Sequence, residues 1–98
     1  MTDEEFTCRM ERIQEDIQWK AEMIESIRNT DAFLERLTEK HQDNPSRERT
    51  VALASEAIES GHDLILKYEM EMTALRRKRD ELDEEYRLEA ILRPEPLI

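Results

Sequence analysis

Residues 43–46 read Asp43-Asn44-Pro45-Ser46. They are the strongest break in a 98-residue chain with one glycine, Gly61, and three prolines, Pro45, Pro94 and Pro96. Asn44 suits a helix N-cap. Pro45 suits the first helical position, where its missing N–H costs nothing. One helix is expected to stop before this point and another to start at it.

Upstream, Thr2-Asp3-Glu4-Glu5 reads as a helix start, with a capping box and acidic first-turn residues. Apolar residues then recur at Phe6, Met10, Ile13, Ile17, Ile24, Ile27 and Leu34, in steps of three, four or seven. That spacing is one helical stripe. Downstream the stripe is Val51, Ala54, Ile58, Gly61, Ile65, Tyr68, Met72, Leu75, Arg79, Leu82 and Tyr86. The second helix should end before Pro94, because a residue preceding proline avoids the helical region.

These patterns predict an all-α chain folded as a long antiparallel helical hairpin. Helix 1 is expected over about residues 3–42, a turn at 43–45, helix 2 over about 46–92 and a short proline-containing tail at 94–98. Asn29-Thr30-Asp31 and Gly61 are the two places for a kink. Continuity is favoured at both, because the stripe keeps phase across each. In an antiparallel pair, facing residue numbers add to a constant set by the turn. Ile17 with Met72 and Ile24 with Ile65 give the same value, and Ile13 with Leu75 and Ile27 with Gly61 give one close to it.

A two-helix hairpin buries only one stripe per helix. The half nearest the turn carries a second apolar row: Trp19, Met23, Phe33 and Leu37 on helix 1, and Leu53, Ala57 and Leu64 on helix 2. A face wider than a two-helix seam is what a bundle helix needs. These residues are expected to join two copies into a four-helix bundle or coiled coil, a homodimer being the simplest case. Lys20, Asp31 and Arg79 interrupt the seam. Such residues either fix register or reach out of a narrow seam to solvent.

Charge is uneven. The net charge is −10. Residues 1–25 hold eight acidic and three basic side chains, and residues 69–98 hold nine and six, so these segments carry −5 and −3 of it. A hairpin sets them side by side at the end away from the turn. Asp3, Glu4 and Glu5 then stand near Asp80, Glu81, Asp83, Glu84 and Glu85. An acidic end of this kind suits a basic protein surface and disfavours direct binding to nucleic acid or anionic membranes. Arg76-Arg77-Lys78-Arg79 is the one basic run, expected to form ion pairs along a solvated helix.

Nothing in the sequence suggests catalysis. His41 and His62 do not face each other in the hairpin, Cys8 lies off the stripe, and there is no glycine-rich phosphate loop. No enzyme activity, metal or cofactor is expected. One cysteine, an acidic N-terminus and no apolar run of membrane-spanning length lead to the expectation of a cytoplasmic protein.

The stretch Pro45-Ser46-Arg47-Glu48-Arg49-Thr50-Val51-Ala52-Leu53 resembles the loop-to-helix segment of phage-encoded helical-hairpin proteins that oligomerise and sequester cyclic-nucleotide signals of bacterial immunity. The likeness covers about nine residues. That family continues with a Leu-Glu-Glu-Ala segment, whereas this chain reads Ser55-Glu56-Ala57-Ile58. The resemblance implies a phage or mobile-element protein acting as a small-nucleotide sponge, with ligand sites between subunits near Arg47 and Arg49. The residues read by themselves favour a protein–protein interaction module, acting as an inhibitor, nucleic-acid mimic or assembly factor. A purely structural coiled-coil scaffold is the remaining alternative.

Overall fold

The structure, a computed structural model, describes residues 1–93. The tail expected at 94–98 lies outside the described residues. Helix α1 spans Asp3–His41 and helix α2 spans Glu48–Leu92, with a single 3-10 turn, Pro45–Arg47, before α2. The two helices pack antiparallel along their length, in a rod only 16 × 13 Å across.

Local chemistry sets the ends. Thr2 caps α1: its Oγ1 accepts the Glu5 N–H at 3.1 Å, and Asp3, Glu4 and Glu5 favour the positive end of the helix dipole. Asn44 caps as its sequence suggests, but what it caps is the 3-10 turn. Its Oδ1 accepts both the Ser46 N–H at 3.1 Å and the Ser46 hydroxyl at 2.7 Å. This short-range bonding tightens the chain into i→i+3 geometry, with Arg47 N–H on Asn44 O at 2.9 Å, so the α-helix proper starts at Glu48. Both helices run unbroken through Asn29-Asp31 and Gly61.

The seam is the stripe read from the sequence. Ile17, Ile24 and Met72 form its centre, with Ile13, Ala21, Ile65, Tyr68 and Leu75 packed against them. Ala54 and Leu82 are buried nearer the two ends. At the end away from the turn, Phe6 stacks on Tyr86 with ring centroids 4.0 Å apart. Two helices cannot enclose a side chain fully. Among the described residues none falls below 2% exposure.

The polar residues in the seam take different routes. Lys20 Nζ reaches Asp16 at 2.7 Å and Glu71 at 3.6 Å. The hydrogen bond to Asp16 is the main cause that holds its ammonium above the usual lysine range. Arg79 leaves the seam, its Nη1 donating to Gln14 at 3.4 Å and its Nε lying 3.6 Å from Asp80. Asp31 stays buried.

Candidate functional site

The hairpin has two unlike flanks. Positions seven apart on a helix share a face to within about 20°. Lys20 forms ion pairs with both Asp16 and Glu71, so these two carboxylates lie on one flank of the seam. Seven and twenty-one residues beyond Asp16 stand Met23 and Leu37, and seven and fourteen before Glu71 stand Leu64 and Ala57. Trp19, Phe33 and Leu53 each sit four residues before one of these, on the adjoining strip. The second apolar rows of both helices thus lie on the same flank and form one surface.

That surface is open. Trp19 is 50% exposed, Phe33 56% and Leu53 55%, while Met23 and Leu37 are partly buried. Trp19 is steadied by an edge-on contact with Tyr68, centroids 5.9 Å apart, and by Lys20 Nζ 5.6 Å from its ring centroid. Small side chains separate the large ones: Ser26, Thr30 and Ser60 lie on the same flank. The Thr30 hydroxyl donates to Ser26 O at 3.0 Å, so its polar group is satisfied within its own helix.

The opposite flank is mostly polar, with one large apolar side chain, Leu66, exposed on it. Arg28 bridges to Glu69 at 3.1 Å, and Arg79 meets Gln14 there. It also borders Asp31, whose place in the seam the sequence shows but whose burial it does not. Asp31 is 7% exposed, its Oδ2 has no hydrogen-bond partner among the described residues, and His62 Nε2 stands 3.8 Å from that oxygen. The signal was present: a carboxylate at a seam position one turn from the only glycine. Arg28, Glu35, His62, Ile65 and Leu66 line an open groove of about 440 Å³ beside it.

At the end away from the turn, the Tyr86 hydroxyl donates to Asp3, while Glu4 and Glu5 are exposed. This bond is the first cause raising the Tyr86 phenol above its ordinary range. Of the five acids Asp80, Glu81, Asp83, Glu84 and Glu85 on α2, Glu81, Glu84 and Glu85 share one face at i, i+3 and i+4, while Asp83 points to another. Part of this acid is paired: Asp83 with Arg87 at 3.2 Å, and Glu89 with the Met1 amino group at 3.1 Å. The end is therefore less self-repelling than its composition suggests. Glu81, Glu84, Glu85, Leu88 and Leu92 line an open groove of about 720 Å³. Leu88, Ile91 and Leu92 are half exposed or more.

The basic run does not pair as expected. Among the described residues only Arg79 of the four lies within ion-pair distance of a carboxylate. Successive residues point 100° apart, so the run makes no single patch; Lys78 instead joins Arg9 and Arg12 around a groove that also holds Glu81 and Glu85. Arg47 and Arg49 are exposed at the turn end. Among the described residues, no three His, Cys, Asp or Glu side chains are grouped to hold a metal ion, and no helix is long and apolar enough to cross a membrane. The chain matches no family model, no curated protein and no solved structure.

Proposed function

We propose that this chain is a non-enzymatic interaction module. It self-associates through the apolar flank, as a dimer forming a four-helix bundle, and uses its acidic end to meet a basic surface of another protein. One observation carries the reading: Trp19, Phe33, Leu53 and their neighbours form one exposed apolar flank on a rod in which, among the described residues, no side chain is fully enclosed. A patch of that kind marks an interaction surface, and covering it supplies the burial that a two-helix rod lacks. An inhibitor, a nucleic-acid mimic and an assembly factor all fit this description. Light scattering at micromolar concentration tests it. The wild type should be a dimer, and Phe33→Glu with Leu53→Glu should be a monomer of lower stability. A monomeric wild type would defeat the reading.

A further inference from the structure

Granting the self-association proposed above, we infer that the two copies lie antiparallel and staggered, overlapping through their turn-proximal halves, so that the acidic ends project in opposite directions. The apolar flank does not run the length of the rod. On α1 it extends from Trp19 to Leu37, and on α2 from Leu53 to Leu64. Both stretches centre near the level of Thr30 and Ser60, well to the turn side of the middle of the rod. A two-fold axis at that level lays each apolar stretch on the other.

Three features choose antiparallel over parallel. The first is net charge. Residues 1–25 and 69–93 carry −7 of the total −10 towards the far end. A parallel pair sets those ends beside each other, within a Debye length of about 8–10 Å, where repulsion is weakly screened. The antiparallel pair separates them by most of the assembly's length.

The second is local complementarity at the borders of the flank. Seven residues past Phe33, at the turn end, stands Lys40; a turn beyond Trp19, at the other border, stand Asp16 and Glu71. Reversal about the Ser60 level brings Lys40 of one copy to the level of Asp16 and Glu71 of the other, where two carboxylates share the single ammonium of Lys20 and leave one negative charge to be met. A parallel pair sets Lys40 against Lys40 and Asp16 against Asp16.

The third is steric. At a two-fold axis each residue meets its own copy. Ser26, Thr30 and Ser60 are small, and the Thr30 hydroxyl is already bonded to Ser26 O. Small side chains allow close helix approach there, while the bulky Trp19 and Phe33 fall to either side and interleave. The resulting assembly is bivalent, with one acidic arm at each end able to bridge two basic partners.

Cys8 is the only cysteine and is exposed near the acidic end, so it takes a nitroxide label without further substitution. Double electron–electron resonance on the labelled dimer should give a Cys8-to-Cys8 distance of roughly 60–70 Å, from 1.5 Å of rise per residue on either side of the axis. A distance under about 35 Å, as two helices side by side would give, overturns the antiparallel arrangement and leaves self-association standing. A label at Ser60→Cys in a Cys8→Ser background should give a short distance, under about 25 Å for neighbouring helices near the axis. A long distance there means that another flank makes the contact, which overturns the inference. A monomer by light scattering overturns the inference together with the self-association it rests on.

Discussion

The carboxylate of Asp31 fills the space that a side chain at Gly61 would need. A Cβ built on Gly61 lies 2.7 Å from Asp31 Oδ1 and 3.0 Å from Oδ2, with Ile27 Cγ2 at 3.1 Å. The glycine is thus the counterpart of a buried acid. Inside a helix Gly costs about 1 kcal/mol relative to Ala. Gly61→Ala should still destabilise the wild type by about 1 kcal/mol, because the displaced carboxylate overpacks the seam. In an Asp31→Ala background the same change should stabilise by about 1 kcal/mol, as the helix propensity then acts alone. Urea denaturation of the four proteins gives the coupling, about 2 kcal/mol, within the range for touching residues. An equal effect of Gly61→Ala in both backgrounds would refute the pairing.

Ile24 is buried at the centre of the seam and Glu25 beside it is exposed. Ile24→Ala should cost about 2–5 kcal/mol, the transfer term plus a cavity that two rigid helices close poorly. Glu25→Ala should cost within about 0.5 kcal/mol, as surface changes do. Chemical denaturation compares them, and similar costs would dissolve the distinction between seam and surface.

The seam was legible because spacing alone carries it. Steps of three and four place Ile17 and Ile24 on one side of α1, and the constant set by the turn at Asn44-Pro45 brings them to the level of Met72 and Ile65. What spacing leaves open is where a long or polar side chain goes from its position. Asp31 was visible as an interruption, and its closeness to Gly61 follows only once the carboxylate's direction is known. Arg79 holds a seam position yet leaves it for Gln14. The run Arg76-Arg77-Lys78-Arg79 reads as one cluster in a line of text and becomes separate directions on a helix. The one-turn delay before Glu48 depends on how Ser46 bonds to Asn44, which residue type does not determine. That both apolar rows share a flank needed the cross-helix ion pair of Lys20 with Glu71.

Trp19 is the single tryptophan and stands on the apolar flank, half exposed within the hairpin. If a second copy covers it, its fluorescence should be blue-shifted at high protein concentration and move to the red on dilution through the dissociation constant. The double variant Phe33→Glu with Leu53→Glu should emit to the red at every concentration. An emission maximum that ignores both dilution and substitution would place Trp19 outside the contact.

Tyr86 and Lys20 should both contribute to a loss of stability at alkaline pH. The hydrogen bond that Tyr86 donates to Asp3 is the first cause lifting the phenol above its ordinary 10.0, and desolvation adds to it. Lys20 is raised above 10.5 first by its bond to Asp16. Both groups favour the protonated form in the folded chain. Their contribution is complete below those ordinary values and is lost as pH rises through the raised ones. Asp3→Asn should lower the midpoint of one of the two tyrosines in absorbance at 295 nm, and should shrink the fall in melting temperature above pH 10. An unchanged tyrosine titration would mean that Asp3 does not hold the phenol in solution.

The acidic end gives the prediction that separates a docking surface from a merely solvated one. Glu81, Glu84 and Glu85 line the groove containing Leu88 and Leu92, and none of the three has an ion-pair partner among the described residues. Their mutual repulsion should make the free protein more stable as salt rises from 0.05 to 0.5 M, because screening relieves it. Replacing the three with Gln should raise the melting temperature at low salt and flatten this salt dependence. The same variant should bind a helical peptide with lysines on one face and leucines on the other more weakly than the wild type, most clearly at low salt, since the attraction is electrostatic in reach. The two effects point in opposite directions, and a surface whose acid only solubilises would show the first without the second. The measurement is thermal unfolding beside peptide affinity at both salt concentrations. If the peptide binds the variant as well as the wild type, the carboxylates take no part in docking, and the exposed Leu88, Ile91 and Leu92 become the residues to substitute next.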